Sequence, residues 1–246
     1  MTSSHSSSVV RHLPYNAHGR DFVVGDIHGM FRELAAVLRR VDFNTTCDRL
    51  IAVGDLVDRG RESVRALDYL EQPWFASIMG NHERMLLDAQ QDALEREDWQ
   101  LRNGGGWWRQ ITPDQQCRFL EILPQLPIAV EIVTAGGRVG VVHADIPKTL
   151  TWQAFSRALA YDEQVVMHAL WSRDRLFKAQ RDGVGDSIEG IDTVIFGHTP
   201  LTDVCHFGNL FYIDTGAAYT RILPQAKLSL LQIHPQIKLT SQLSQG

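Results

Sequence analysis

The chain has 246 residues, of which 44% are hydrophobic and 22% are charged. Such a composition can bury a substantial core, and it excludes a chain that is disordered throughout. The formal net charge of −5 gives no overall basic footprint for nucleic acid, and no apolar run is long enough for a transmembrane helix.

Both ends of the chain are polar, and we predict one domain between them. Residues 1–20 begin with a Ser-rich stretch that lacks the apolar segment of a signal peptide, so we expect a disordered tail there. The domain is expected over residues 21–234, with a polar tail that frays over residues 235–246. Three widely spaced cysteines, Cys47, Cys117 and Cys205, make no disulfide framework, which favours a reducing, cytoplasmic location.

Five short apolar runs are typical of buried strands, and each is followed at once by side chains that bind metals. The runs cover residues 22–24, 50–53, 77–79, 139–142 and 194–196. The segments after them are Gly25-Asp26-Ile27-His28-Gly29, Gly54-Asp55-Leu56-Val57-Asp58-Arg59-Gly60, Gly80-Asn81-His82-Glu83, His143-Ala144-Asp145 and Gly197-His198-Thr199. Because an open α/β sheet gathers its active site at the carboxyl ends of its strands, we expect these segments to meet in one crevice.

Between these strands the hydrophobic residues recur at the spacing of helices. Phe31, Leu34 and Leu38 predict a first helix, and a similar pattern over residues 64–70 predicts a second. A third helix is expected to begin at the segment that contains Asn81. The strand-helix-strand spacing of about 30 residues predicts a βαβαβ unit, and by itself it favours a doubly wound sheet.

The rest of the chain is less regular. Several tryptophans, together with Gly104-Gly105-Gly106, suggest a loop-rich helical insertion within residues 99–175. A helix is predicted over residues 114–123, entered through Pro113. The remaining predicted strands cover residues 128–133 and 138–142, joined by a hairpin, then 210–213 and 227–233.

The polar residues at the strand ends suit two divalent metal ions. Two cations about 3.5–4 Å apart need a carboxylate that touches both and offsets their repulsion, and Asp55 is the best candidate for this bridge. Asp26 and His28 follow the same strand and can face one metal. The second metal would be completed by Asn81, His143 and His198. Mixed oxygen and nitrogen ligands favour Mn²⁺, Fe²⁺ or Zn²⁺ over Ca²⁺, with Mn²⁺ expected, and the pair would activate a water as nucleophile.

Three neighbouring residues suit the remaining steps of phosphate ester hydrolysis. Arg59 can hold two phosphoryl oxygens in its planar fork. His82 is placed to protonate the leaving group as a general acid. Asp58 can hydrogen-bond to that imidazole and keep it protonated.

Together these motifs resemble the phosphoprotein phosphatase family of calcineurin-like metallophosphoesterases, most closely its small bacterial and bacteriophage branch. The resemblance extends over nearly the whole chain. It includes Asn103-Gly104-Gly105-Gly106-Trp107, Trp171-Ser172-Arg173 and Tyr212-Ile213-Asp214-Thr215-Gly216-Ala217. It implies an α/β fold, a layered β-sandwich flanked by helices, in place of the simpler doubly wound sheet.

The resemblance also implies a role for each candidate site residue. It implies one metal on Asp26, His28 and Asp55, and the other on Asp55, Asn81, His143 and His198. It further implies that His82 is the acid, supported by Asp58, and that Arg59 and Arg173 hold the phosphate. Arg173 is assigned by the resemblance alone, since the residue by itself would be an ordinary surface arginine.

Three functions remain open at the level of sequence. The first is a metal-dependent phosphatase of phosphoserine and phosphothreonine in proteins, with some action on phosphotyrosine. The second is a hydrolase of dinucleoside polyphosphates such as diadenosine tetraphosphate, which usually lacks the Asp58-Arg59 pairing and has Asp in place of Glu83. The third is a catalytically silent module that binds phosphopeptides, which the intact ligand set disfavours. Phosphorylated proteins are therefore the expected partners, with no nucleic acid or membrane; the oligomeric state is not predicted.

Overall fold

The structure, a computed structural model, describes residues 9–245, and within this range eleven strands form two sheets. The strands are β1 (Val10–Leu13), β2 (Asp21–Val24), β3 (Arg49–Ala52), β4 (Phe75–Ser77), β5 (Ala129–Thr134), β6 (Gly137–Val142), β7 (Thr193–Phe196), β8 (Cys205–Phe207), β9 (Leu210–Tyr212), β10 (Lys227–His234) and β11 (Lys238–Leu243). The first sheet has the order β1-β5-β6-β7-β9-β8, and the second has the order β11-β10-β2-β3-β4.

Eight α-helices in the described part of the chain flank these sheets. They are α1 (Phe31–Arg40), α2 (Ala66–Leu70), α3 (Asn81–Asp88), α4 (Ala93–Arg102), α5 (Pro113–Ile122), α6 (Trp152–Ala158), α7 (Glu163–Trp171) and α8 (Asp174–Asp182). Short 3₁₀ helices cover Ser63–Arg65, Gly105–Gln110 and Leu123–Gln125. Across residues 9–245, every helix is too short or too polar to span a bilayer.

Local sequence signals explain where the best-predicted helices form. In α1, Phe31, Leu34 and Leu38 are buried on one face, as their three- and four-residue spacing requires. Helix α5 begins at Pro113, and the Thr112 hydroxyl before it accepts a hydrogen bond from the backbone N–H of Gln115. Proline suits this first position because the helix needs no N–H from it.

Three apolar cores arrange these elements in four layers. Between the two sheets, Val23 and Ile51 of the second sheet pack with Val141 and Ile195 of the first, all fully buried. Helices α1 to α5 pack on the outer face of the second sheet, and α6 to α8 pack on that of the first. The β-sandwich flanked by helices is therefore confirmed.

The βαβαβ unit is also present. Strands β2, β3 and β4 are parallel neighbours, and β6, β7 and β9 form a second parallel run. The doubly wound arrangement is wrong, because β10 pairs antiparallel with β2 and the other sheet covers the face that a second helical layer would need. Each parallel run still delivers its carboxyl ends to one edge of the sandwich.

The structure corrects both predicted tails. Within residues 1–20, β1 pairs parallel with β5, while residues 1–8 lie outside the described range. At the other end, β11 pairs antiparallel with β10 over six residue pairs instead of fraying. Both are edge strands, where polar residues are tolerated because one side faces solvent, so their composition looked like that of a tail. Strand β4 also lies about two residues earlier than predicted.

Candidate active site

The five predicted segments meet at the carboxyl ends of β2, β3, β4, β6 and β7. All six predicted metal ligands are buried there, and none is more than 5% exposed: Asp26, His28, Asp55, Asn81, His143 and His198. The acid candidate His82 lies in the first turn of α3 and is 1% exposed. The predicted crevice is therefore assembled from the loops that follow the parallel strands.

The backbone turns sharply at these positions. Among the described residues, six other than glycine have a positive φ, and five of them belong to the predicted site: His28, Asp55, Asp58, Arg59 and His198. Their φ angles lie between 44° and 73°, a region that costs a residue with a side chain about 1–3 kcal/mol. Such strain persists only where the surroundings hold the residue in place, and here all five except Arg59 have buried side chains.

Two glycines in the motifs allow the loops to approach closely. A Cβ atom on Gly80 would lie 2.2 Å from the Asp55 Oδ1 atom. A Cβ atom on Gly197 would lie 2.1 Å from the Asp26 Oδ1 atom. Neither distance leaves room for a side chain, so these glycines are required by the packing of the carboxylates.

Backbone carbonyls fix the orientation of the three histidine rings. His28 and His143 each donate from Nδ1 to a carbonyl oxygen, of Val57 and Val53 respectively, at 2.8 Å. His198 instead donates from Nε2 to the carbonyl oxygen of Trp171 at 3.1 Å. Because the other ring nitrogen then has a lone pair, each histidine keeps one nitrogen that could bind a metal.

Possible ligand atoms of these histidines, of His82 and of Asp55 lie in two groups that share Asp55. One group comprises Asp55, His143 and His198, and the other comprises His28, Asp55 and His82. In each group the ligand atoms lie within 4.8 Å of one another. Asp55 is thus placed between the groups, as a bridging carboxylate would be.

Asp26 lies beside these two groups. This carboxylate is absent from both groups, and it accepts the backbone N–H of His198 at 3.0 and 3.1 Å. His82 belongs to the second group, with Nε2 at 3.9 Å from Asp55 Oδ2. Asp26 nevertheless borders the site, because the charges of Asp214 and Asp55 add to burial in raising its pKa.

The donor set fits divalent cations. The lone pairs of His143 Nε2 and His198 Nδ1 face Asn81 Oδ1 at 2.8 and 2.9 Å, so three acceptors meet without a hydrogen atom between them. Burial, then repulsion from Asp214 and Asp55, raises the pKa of Asp26 well above its usual value. A cation would stabilise both arrangements, since it attracts lone pairs and offsets packed carboxylates.

The pKa values of the histidines also suit metal binding, which requires neutral imidazoles. Burial lowers the pKa of His28 and His143, and burial with the neighbouring charges of His143 and Arg173 lowers that of His198 to about 3. Burial alone would raise the pKa of Asp55, but the three surrounding histidines outweigh it and hold that pKa below its usual range. Asp55 is therefore a carboxylate.

His82 and Asp58 form a buried pair beside these groups. Their Nδ1 and Oδ2 atoms are 2.6 Å apart, and Asp58 is fully buried. Burial opposes a charged imidazole, but Asp55 and Asp58 outweigh that effect and raise the pKa of His82. Trp99 and Trp107 donate their indole N–H groups to the two oxygens of Asp58, each at 2.7 Å, so the carboxylate cannot rotate freely.

The two arginines lie at the mouth of the site. The Arg59 guanidinium stacks on the Tyr219 ring, 4.9 Å from its centroid, and its Nη1 contacts His28 Nε2 at 2.5 Å. Arg173 precedes α8, and its charge lowers the pKa of His143 and His198 in addition to their burial. The structure therefore brings both arginines predicted to hold phosphate close to the histidines.

Sequence reasoning assigned no role to Glu83, yet this residue organises the loop that carries Asp55. Glu83 is fully buried and accepts the backbone N–H groups of Gly80, Asp55 and Leu56 at 2.8 to 2.9 Å. An acidic residue three positions after a helix N-cap is a recognised capping signal, so this role was accessible from sequence. The loop after β3 is thereby tied to the start of α3.

Of the other residues that the sequence did not indicate, some carry a local sequence signal and others do not. Asp214 follows β9 just as the predicted ligands follow their strands, so the same signal could have found it. Burial raises its pKa to about 7. The bonds from Trp99 and Trp107 to Asp58 span 41 and 49 residues, and no local pattern predicts them.

Comparisons with known proteins also indicate a phosphoesterase. Residues 22–211 match the calcineurin-like phosphoesterase family, and the chain belongs to it. A curated relative, serine/threonine-protein phosphatase 1 of Salmonella typhimurium, is 40% identical over 84% of this chain and 91% of its own length. A symmetrical bis(5'-nucleosyl)-tetraphosphatase of Shewanella is 28% identical over 92% of this chain and 80% of its own. A solved structure described as a candidate diadenosine tetraphosphatase aligns with a TM-score of 0.68 and 25% identity. The alignment covers 96% of this chain and 99% of that structure's chain.

Proposed function

We propose that this chain is a metal-dependent phosphatase that hydrolyses phosphoserine and phosphothreonine in proteins, and phosphotyrosine to some extent. The observation that carries the proposal is the buried His82–Asp58 pair facing the shared carboxylate Asp55. A serine or threonine alkoxide is a poor leaving group, so its departure needs a proton donor at this position. The serine/threonine phosphatase relative supports the same reading.

In the mechanism that we propose, six side chains would hold two divalent metal ions: Asp26, His28, Asp55, Asn81, His143 and His198. When bound, these ions supply an activated water and offset the charge of the phosphoryl group. We assign Mn²⁺ to the site, with Fe²⁺ or Zn²⁺ as alternatives, because the donors combine imidazole nitrogens with carboxylate and amide oxygens.

The protein side chains perform the remaining steps. Arg59 and Arg173 orient the phosphoryl oxygens, and their charge stabilises the transition state. His82 then donates its proton to the leaving oxygen, and Nε2 is the donor because Nδ1 is engaged by Asp58. Asp58 stabilises the protonated imidazole before transfer, and the two indole N–H groups keep Asp58 oriented.

A dinucleoside polyphosphate hydrolase is the second candidate. The Shewanella relative and the solved structure described above favour it. Two points argue against it. The Shewanella relative is 28% identical to this chain, whereas the serine/threonine phosphatase is 40% identical. The reaction also needs a proton donor less, since its leaving group is a phosphate anion. A silent phosphopeptide-binding module is the weakest reading, because all six proposed metal ligands are present.

The decisive experiment compares both substrate classes on one preparation. Protein reconstituted with Mn²⁺ is assayed on a panel of phosphoserine, phosphothreonine and phosphotyrosine peptides and on diadenosine tetraphosphate. We expect a higher kcat/KM on the phosphoserine and phosphothreonine peptides. Efficient symmetrical cleavage of diadenosine tetraphosphate with negligible peptide turnover would reverse the order of the two candidates. A cytoplasmic location stays a prediction from the cysteine pattern.

A further inference from the structure

A small cavity of about 350 Å³ opens beside the arginine that we assign to the phosphate. Its wall includes Arg59, Arg61 and Arg221, together with the apolar side chains of Met30 and Ile222. None of the nine residues that line it is acidic. The cavity is therefore positively charged and directly adjoins the catalytic site through Arg59.

The arginines of this cavity have no ion-pair partner among residues 9–245, although Arg59 is close enough to the buried carboxyls of Asp26 and Asp214 to lower their pKa values. Arg59, Arg61 and Arg221 form no ion pair in that range, although many arginines elsewhere do, such as Arg49 with Asp21 at 2.7 Å. The nearest acid in sequence, Glu62, is engaged instead by two other arginines, Arg32 at 2.8 Å and Arg65 at 3.2 Å.

The three arginines divide into two groups by their contacts. Arg59 is held by the Tyr219 ring and points to His28, toward the phosphate that is to be hydrolysed. Arg61 and Arg221 are exposed, and in the described part of the chain their side chains have no hydrogen-bond partner. Two guanidinium groups thus remain free for an anion other than the scissile phosphate.

We propose that Arg61 and Arg221 form a second anion-binding subsite, which takes an acidic group next to the phosphorylated residue of a peptide. The anion is a carboxylate or a second phosphoryl group, because a guanidinium fork matches both. Met30 and Ile222 provide an apolar surface for the methylene stem of that side chain. This proposal rests on the phosphatase function proposed above and names its preferred substrates, phosphopeptides with acidic flanks.

The test uses the Mn²⁺-reconstituted protein and matched phosphopeptides. One peptide has Glu on both sides of phosphoserine, a second has Gln there, and a third has a second phosphoserine at a flanking position. We expect the Glu peptide to exceed the Gln peptide in kcat/KM by about 2- to 30-fold, since two exposed charge pairs contribute in that range. The difference should lie in KM and shrink as salt is added.

Two variants and a control connect this preference to the cavity. The double variant Arg61→Ala/Arg221→Ala should bring the Glu-to-Gln ratio close to one, and Arg221→Glu should favour the Gln peptide. Arg11→Ala removes an arginine that is also exposed and unpaired in the described range, but it lies on β1 and should leave the ratio as it is. An advantage of the doubly phosphorylated peptide alone would identify the preferred anion as phosphoryl.

Several results would overturn the subsite. Equal kcat/KM for the Glu and Gln peptides in the unmodified protein would do so, as would an equal loss of preference in Arg11→Ala. A loss confined to diadenosine tetraphosphate in the double variant would assign these arginines to a nucleotide instead. Failure to dephosphorylate any peptide, with p-nitrophenyl phosphate still hydrolysed, would refute the protein phosphatase function itself, and the subsite with it.

Discussion

Replacement of His82 by Asn tests the proposed proton donor most directly. An asparagine amide at this position can still hydrogen-bond to Asp58, but it cannot carry the proton that the 2.6 Å contact with Asp58 stabilises. General acid catalysis contributes about 10²–10⁴ in rate. Because each 1.36 kcal/mol is a factor of ten, His82→Asn should raise the barrier by about 3–5.5 kcal/mol for a leaving group that needs a proton.

The size of the effect should depend on the leaving group. The assay measures kcat on p-nitrophenyl phosphate, phenyl phosphate and a phosphoserine peptide, in order of increasing basicity of the leaving oxygen. We expect a small loss on p-nitrophenyl phosphate, whose leaving group is stable as an anion, and the full loss on the peptide. His12→Asn is the matched control, because that side chain is 68% exposed and lies on β1.

Metal content should be measured on the same preparations, since His82 also lies close to Asp55. If His82→Asn retains its metal and loses the same factor on all three substrates, the imidazole is not the acid. A uniform loss would indicate that His82 positions the phosphate or a metal ligand instead.

Three further predictions concern the same centre. Asp55→Asn should reduce the content of both metals, because the shared ligand loses its charge, and elemental analysis measures this. Full activity of the chelated, metal-free protein would refute the two-metal mechanism. Asp55 and Asp58 together raise the pKa of His82 against the effect of its burial, so the protonated acid persists to higher pH. Asp58→Asn should therefore move the basic limb of the kcat–pH profile to lower pH, and an unmoved limb would argue against the pair. Gly80→Ala should displace Asp55 and abolish metal binding, measured by calorimetry, whereas Gly106→Ala, with its nearest atom at 3.6 Å, should be tolerated.

The sequence by itself determined the elements that carry the site. The apolar runs before Asp26, Asp55, His143 and His198 end in strands at the predicted places, because burial and side-chain periodicity are local properties. The sequence also predicted that these residues lie close together, since parallel strands end at a common edge of the sheet. Arg173 was different, because only the resemblance to a known family distinguished it from a surface arginine.

Only the tertiary structure decided which residues hold the catalytic side chains in place. Trp99 and Trp107 reach Asp58 across more than 40 residues, and Tyr219 stacks on Arg59 across a still longer separation. Strand β11 likewise depends on a partner, β10, that its own polar sequence does not specify. Such contacts are fixed by the packing of distant segments against one another, and a local pattern contains no information about that packing.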